Sequence, residues 1–394
     1  MYLGTVILLV SLATSAFAAT TCNVLDYGGV ADNSTDIAPA ITSAYNDCVA
    51  GATTSDATDT VLLVPSGTYA LVTAVTLTNV ADFSIEINGD LNLIFNASLS
   101  GTLFSFDDCN NMLTSALQVV WQGTGTIYGH GDLWRPDENL MACTIPSAWP
   151  NRPRLVRFQT CNNIDMSGVT LNNSPMFHVT IIGDNNVAHD MQIIADHIGE
   201  TDGFDMSGNN NYVHDVSVEN GDECVTVKAP TNGFVGENIQ CFYSAGCNIG
   251  SFGNDATGIS VQNVYYKNVT QQNGDGGIVL KSYPTASGLV TNATYVDFTF
   301  TNIAYPLQVD SFWCPNEACP ATTGNITWTD ITFENISGTG DNSTRPTIMI
   351  DCIAGYECTG MTFENVDLGK EGGATVEIEV TNACGTGLSQ LSAC

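Results

Sequence analysis

Cationic side chains are what this chain has least of: its 394 residues include nine Lys plus Arg against 41 Asp plus Glu, giving a net charge of −32 at pH 7. Such a surface disfavours nucleic acid and anionic membrane as partners. Helical periodicity is also scarce. None of the 14 cysteines forms a Cys-x-x-Cys pair or a Cys/His cluster with zinc spacing, so no metal ligation is expected of them and they read as disulfide partners. What is abundant is hydrophobic content, 44%, enough for a large buried core.

The chain opens with the apolar run Val6-Ile7-Leu8-Leu9-Val10 and reaches small residues ending in Ala16-Phe17-Ala18. That run is short for a bilayer span and its end matches a leader cleavage site, so residues 1–18 are expected to be a signal peptide and 19–394 a single domain. Eight Asn-x-Ser/Thr sequons, at Asn33, Asn96, Asn172, Asn268, Asn292, Asn325, Asn335 and Asn342, and the even cysteine count agree with a secreted, extracellular monomer. The close pairs Cys314/Cys319, Cys352/Cys358 and Cys384/Cys394 are expected to staple local loops.

From about residue 160 a small or polar residue followed by a hydrophobe recurs: Gly168-Val169, Asp190-Met191, Asp215-Val216, Asn238-Ile239, Asn263-Val264, Asp297-Phe298, Asp330-Ile331, Gly360-Met361. A second series, Asn163, Asn186, Asn211, Gly233 and Gly258, runs a few residues ahead of it. Between these corners lie short alternating segments rich in β-branched and aromatic residues, such as Val216-Ser217-Val218-Glu219. Units of this length, each holding several strands, build a β-solenoid whose coils stack and whose longer corners wall a groove. Ile37, Ile41, Tyr45 and Cys48 follow Asn33-Ser34-Thr35-Asp36 at helical spacing, which predicts a short helix capping the first coil.

Two Gly-containing segments concentrate acid: Thr201-Asp202-Gly203-Phe204-Asp205 and Gly221-Asp222-Glu223-Cys224. Asp202 and Asp222 are one coil apart in sequence, and stacked coils lie roughly 4.8 Å apart. Paired acids of this kind suit glycosidic hydrolysis, in which one carboxylic acid protonates the departing oxygen and another carboxylate activates water, at a separation of roughly 6.5–9.5 Å when the anomeric centre inverts. Turn acids are common in so acidic a chain, and adjacent strand residues face opposite ways. Asp222 and Glu223 therefore share a groove only if Gly221 starts a bend.

These segments, followed by Gly246-Cys247-Asn248-Ile249-Gly250-Ser251 and Leu280-Lys281-Ser282, and preceded by Gly123-Thr124-Gly125-Thr126-Ile127-Tyr128-Gly129 and Asn173-Ser174-Pro175, resemble the polygalacturonase family of glycoside hydrolases, family 28. The resemblance implies a right-handed parallel β-helix that hydrolyses pectin, an acidic plant cell-wall polysaccharide, with inversion and without a cofactor. It implies Asp222 as general acid and Asp202 and Glu223 as the water-activating pair. Glu200, Glu223, Ala245 and Val279 depart from the homogalacturonan-cleaving pattern, and Asp222-Glu223-Cys224-Val225-Thr226-Val227-Lys228 is similar to the rhamnogalacturonan hydrolase branch. That branch cleaves the galacturonic acid to rhamnose linkage. Lys281, with Lys228 beside it, is then expected to bind a galacturonate carboxylate, while the absence of Arg at 279 suits a neutral neighbouring sugar.

Polygalacturonase, xylogalacturonan hydrolase and a non-catalytic pectin-binding β-helix are the alternative readings. A calcium-dependent eliminase on a related solenoid is a further one. Trp121, Trp134, Trp149, Trp313 and Trp328 are candidate sugar-stacking residues that spacing does not rank; His178, His189, His197 and His214 fall within the repeat, His197 near enough to the first acid motif to line the groove, and none is assigned to catalysis.

Overall fold

Left-handed backbone marks the corners that the repeat indicates. Gly168, Asp190, Asp215, Asn238, Asn263, Asp297, Asp330 and Gly360 all have φ between 50° and 78°, a region that Gly, Asn and Asp enter at least cost. A computed structural model describes residues 20–50, 60–109, 119–135, 152–314 and 321–394. The expected leader, Trp149 and Cys319 of the Cys314/Cys319 pair lie outside them.

Strands inside the stack pair in parallel with the coil before and the coil after, and those of the first and last coils pair on one side. In one coil, Val225 joins Phe204 to Cys247, Phe234 joins Asn211 to Val264, and Ile239 joins Val216 to Val269. Three successive segments thus close a turn and climb one rung. The result is a right-handed parallel β-helix, the hand that twisted parallel strands favour.

The structure corrects the repeat in two respects. Gly168, Asp190, Asp215 and Asn238 do stack in one column, but the next member is Asn268, whose amide donates to Asn238 at 2.7 Å across 30 residues. Asn263 belongs to the other column, with Gly233 before it and Asn292 after it, followed there by Asp330 and Gly360. Both columns carry the same left-handed Asn, Asp or Gly signature, so one interval list merges them. The second series is one residue late at two coils, where Asn185 and Asn210 hold the left-handed position, not Asn186 and Asn211. Three sequon asparagines, Asn268, Asn292 and Asn335, donate their amides along these ladders.

The interior is filled by stacked columns of apolar side chains. Tyr266, Tyr295, Phe333 and Phe363 lie ring over ring at 5.2, 5.7 and 4.9 Å. Gly236 begins that column, because a Cβ there would fall 2.5 Å from the Tyr266 ring.

The expected cap is present as the helix Ala38–Ala44, with Ile37, Ile41 and Tyr45 buried over the first coil. Asp36 ties its start to that coil by accepting from the backbone of Ala38 and Val72 and from the Thr73 hydroxyl. Cys22–Cys48 fastens its far end, and Cys109–Cys161, Cys224–Cys241, Cys352–Cys358 and Cys384–Cys394 are also bonded. Cys247 departs from the expected pairing: it is a buried free thiol whose Sγ lies 3.8 Å from that of Cys241.

Phe333 is fully buried between two aromatic rings, so Phe333→Ala should lower unfolding free energy by about 3–5 kcal/mol. Chemical denaturation of wild type and variant measures the difference, and a loss below about 1 kcal/mol would show that the column is not a packed core.

Candidate active site

The bend that adjacent Asp222 and Glu223 require is built by Gly221. Residues 220–224 lie between the strands Phe204–Glu219 and Val225–Phe242, so strand alternation does not govern them. A Cβ on Gly221 would fall 2.0 Å from the backbone nitrogen of Ile198, and only glycine permits that approach. Thr201 Oγ1 accepts from the Gly221 N–H at 2.9 Å and donates to the Ile198 carbonyl at 2.6 Å. Buried Asn220 donates to the carbonyls of Thr201 and Glu223 at 2.8 and 2.9 Å. The two acid loops are thereby strapped together.

His178 holds the first loop from the coil below. Its backbone N–H and its Nδ1 both lie within hydrogen-bonding distance of the Asp202 carbonyl, at 2.8 and 3.0 Å, while Nε2 faces the Ser174 N–H at 3.2 Å. Accepting at Nε2 makes Nδ1 the protonated nitrogen. Burial pushes the imidazole pKa down to about 4, so it stays neutral. It is a positioning residue that the sequence does not reveal, except that Asn173-Ser174-Pro175 supplies its partner.

One oxygen each of Asp202, Asp222 and Glu223 lies within 4.8 Å of the other two. This is tighter than the generic separation for inversion, which is measured between carboxyl groups. Two oxygens that close can both bond one water, since two O–H···O distances total about 5.5 Å.

The three carboxyls are driven apart in protonation. Burial and then the Glu223 charge raise Asp222 to about 7, and burial with the charges of Asp222, Glu223 and Asp205 holds Asp202 well above its usual value. Burial acts upward on Glu223 too, but Lys228 and Lys281 overcome it and hold this carboxyl well below its usual range. Lys281 Nζ lies 2.7 Å from Glu223 Oε1. Lys228 Nζ lies 3.8 Å from Glu223 Oε2 and 3.3 Å from Asp205 Oδ1, and donates to the Gly250 carbonyl at 2.9 Å. Asp222 is held by backbone N–H groups, from Glu200 at 2.6 Å and from Glu223 at 2.9 Å.

All five residues singled out in sequence therefore converge, although both lysines face a carboxylate of the protein itself. Two ammonium groups occupy the electrostatic role a divalent cation would have, so this trio does not fit a metal site. Of the Cys224, Cys241 and Cys247 group, two are disulfide-bonded and cannot ligate as thiolates. Spacing missed Asp205, although it stands in the first acid motif, and did not rank Trp313 above the other tryptophans, although its ring lies 4.8 Å from Lys281 Nζ. Trp121, Trp134 and Trp328 are buried in the core, which removes them as sugar platforms.

A sequence model described as glycosyl hydrolases family 28 matches residues 54–391. The chain belongs to that family. A probable rhamnogalacturonase E of Aspergillus niger is 34% identical over 94% of this chain and 76% of its own length. Rhamnogalacturonase A of Aspergillus aculeatus is 34% identical over 95% of this chain and 79% of its own. Among solved structures, the endo-xylogalacturonan hydrolase of Aspergillus tubingensis superposes with a TM-score of 0.75 at 25% identity, covering 95% of this chain and all of that one. The polygalacturonase of Erwinia carotovora ssp. carotovora, with a TM-score of 0.68 and 21% identity, covers 95% and 99% and shares the fold.

In this family 28 chain the raised carboxyls carry a stability signature. A group whose folded pKa is raised contributes stability that is complete below its unfolded pKa and is lost as pH rises towards the folded value. For Asp202 that loss begins at the usual aspartate value of 3.8. Asp202→Asn should therefore leave the melting temperature nearly unchanged near pH 3 and raise it increasingly at higher pH. Thermal melts from about pH 3 to 8 read this; a gain that is largest in acid would reverse the assigned direction.

Proposed function

We propose that the chain is a secreted pectin hydrolase that cleaves the galacturonic acid to rhamnose linkage of rhamnogalacturonan, with Asp222 as general acid and Glu223, aided by Asp202, activating water. The observation that carries the chemistry is the split within one buried trio: Asp222 protonated up to about pH 7 beside Glu223 held ionised by two lysines. In the reaction Asp222 gives its proton to the glycosidic oxygen as the bond to the anomeric carbon breaks. A water held between Glu223 and Asp202 adds its oxygen to that carbon, and Glu223 takes the water's proton. The reaction leaves Asp222 ionised and Glu223 protonated, and the proton returns to Asp222 before the next turnover.

Lys281 has three donors and spends one on Glu223. A galacturonate carboxylate that engages it weakens its hold on Glu223 and makes that carboxylate a stronger base. Support for the substrate comes from the rhamnogalacturonases at 34% identity and from buried Val279 on the strand that carries Lys281. The structural likeness to an endo-xylogalacturonan hydrolase supports a second reading, hydrolysis of xylogalacturonan. Disulfides across the fold fit an oxidising, extracellular setting, with residues 1–18 as leader and 19–394 as one domain.

Asp222→Asn should reduce turnover on rhamnogalacturonan by at least about 100-fold while the polymer is still bound. Wild type should release reducing ends from rhamnogalacturonan faster than from xylogalacturonan or homogalacturonan, with an inverted anomer seen first by NMR. Activity of Asp222→Asn above about a tenth of wild type, or a retained anomer, would contradict the assignment.

A further inference from the structure

In a chain with nine cations, Arg157, Lys228 and Lys281 stand on one sheet face, and Arg154 stands at its edge. Val156 and Phe158 are fully buried, and alternation turns Arg157 to the outer face. Register carries Arg157 through Thr180 to Asp205, so Arg157 sits two coils towards the amino terminus from Asp205, roughly 10 Å along the groove. Arg154 begins the same strand, and its guanidinium lies 4.9 Å from the Phe177 ring centre, one coil before Asp202.

Beyond the trio the sign reverses. Register carries Lys281 to Asp310 and then to Asp351, both on the face opposite the buried Val309 and Ile350. Asp310 accepts from Phe312 N–H and Gln308 at 2.7 and 3.0 Å. The groove floor is thus cationic before the reacting carboxylates and acidic after Lys281.

The two arginines differ from the buried Arg135 and Arg152 in what they touch. Arg135 pairs with Asp196 at 2.8 Å and Arg152 with Glu200 at 3.4 Å. Among the described residues neither Arg154 nor Arg157 has an ion-pair partner within 4.0 Å; Arg157 donates to neutral Gln159, and its buried Nε bonds to nothing. Arg154 acts on Asp205 at longer range, but neither guanidinium contacts a carboxylate of the described residues, and beside a groove both are placed to receive one from outside.

We propose that Arg154 and Arg157 bind the carboxylate of a galacturonate on the amino-terminal side of the cleaved bond, and that Asp310 and Asp351 exclude a carboxylate from the carboxy-terminal floor. This rests on the reading of the substrate as a backbone alternating galacturonate with rhamnose, in which only every second sugar is charged. A uniformly charged polymer would press a carboxylate against the two aspartates, and the alternating one can place a neutral ring there. Selectivity then arises from repulsion as well as attraction.

The test is a cycle between enzyme and substrate, using rhamnogalacturonan and the same polymer with its carboxyls reduced to alcohols. Arg157→Gln should raise KM on the native polymer about tenfold, with kcat changed far less, because it removes binding present before and during reaction. On the reduced polymer wild type and Arg157→Gln should have equal kcat/KM. Arg157→Lys, which keeps the charge, should recover part of the loss, and melting curves identify a variant that has not folded. A loss that persists in full on the reduced polymer overturns the arginine assignment. Asp310→Asn with Asp351→Asn should raise the ratio of homogalacturonan to rhamnogalacturonan kcat/KM about tenfold, and an unchanged ratio overturns the exclusion. If wild type instead leaves rhamnogalacturonan intact and cuts homogalacturonan, the substrate reading and the exclusion fall together, and the arginine cycle is then read on reduced homogalacturonan.

Discussion

Glu223 is ionised inside the protein because Lys281 lies 2.7 Å away and Lys228 adds a second positive charge to the same carboxylate. Everything distinctive about the site follows from that pairing. Once one carboxylate is fixed in its charged form, its neighbours within 4.8 Å cannot also ionise cheaply in a buried setting, and the protons move to Asp222 and Asp202. Without the lysines such a trio would still divide its protons, but nothing would place the charge on Glu223 instead of Asp222, which accepts two backbone N–H bonds.

The fold exists to hold that charge arrangement rigidly. Lys228 and Lys281 stand on parallel strands two coils apart, and the acids come from the bends that lead into the strand of Lys228 and into the strand one coil before it. Strand pairing fixes their relative heights, and Gly221, Asn220, Thr201 and His178 fix the bends. The most acidic part of the chemistry therefore sits on backbone that is hydrogen-bonded from both sides.

Much of this was legible from residue order. The corners announced themselves because left-handed backbone selects Asn, Asp and Gly, and the acid segments stand one coil apart. What sequence could not separate were two columns with the same corner signature, so Asn263 was placed with Asn238 although it stacks on Gly233. Nor could it tell that Lys228 and Lys281 turn towards Glu223, since a lysine's partner depends on which strands lie side by side. His178 was hidden for a different reason: a neutral buried imidazole that fixes a backbone carbonyl has no local pattern, and its two partners come from separate coils.

Protonation of Asp222 can be observed without substrate. Difference infrared spectroscopy of wild type and Asp222→Asn across pH should show a protonated carboxyl band in the wild type that disappears with a midpoint near the value of about 7 given by burial and the Glu223 charge. The variant should lack that transition. Loss of the Asp222 band in the ordinary carboxylate range, or a transition near pH 7 that survives unchanged in Asp222→Asn, would contradict the division of acid from base on which the account stands.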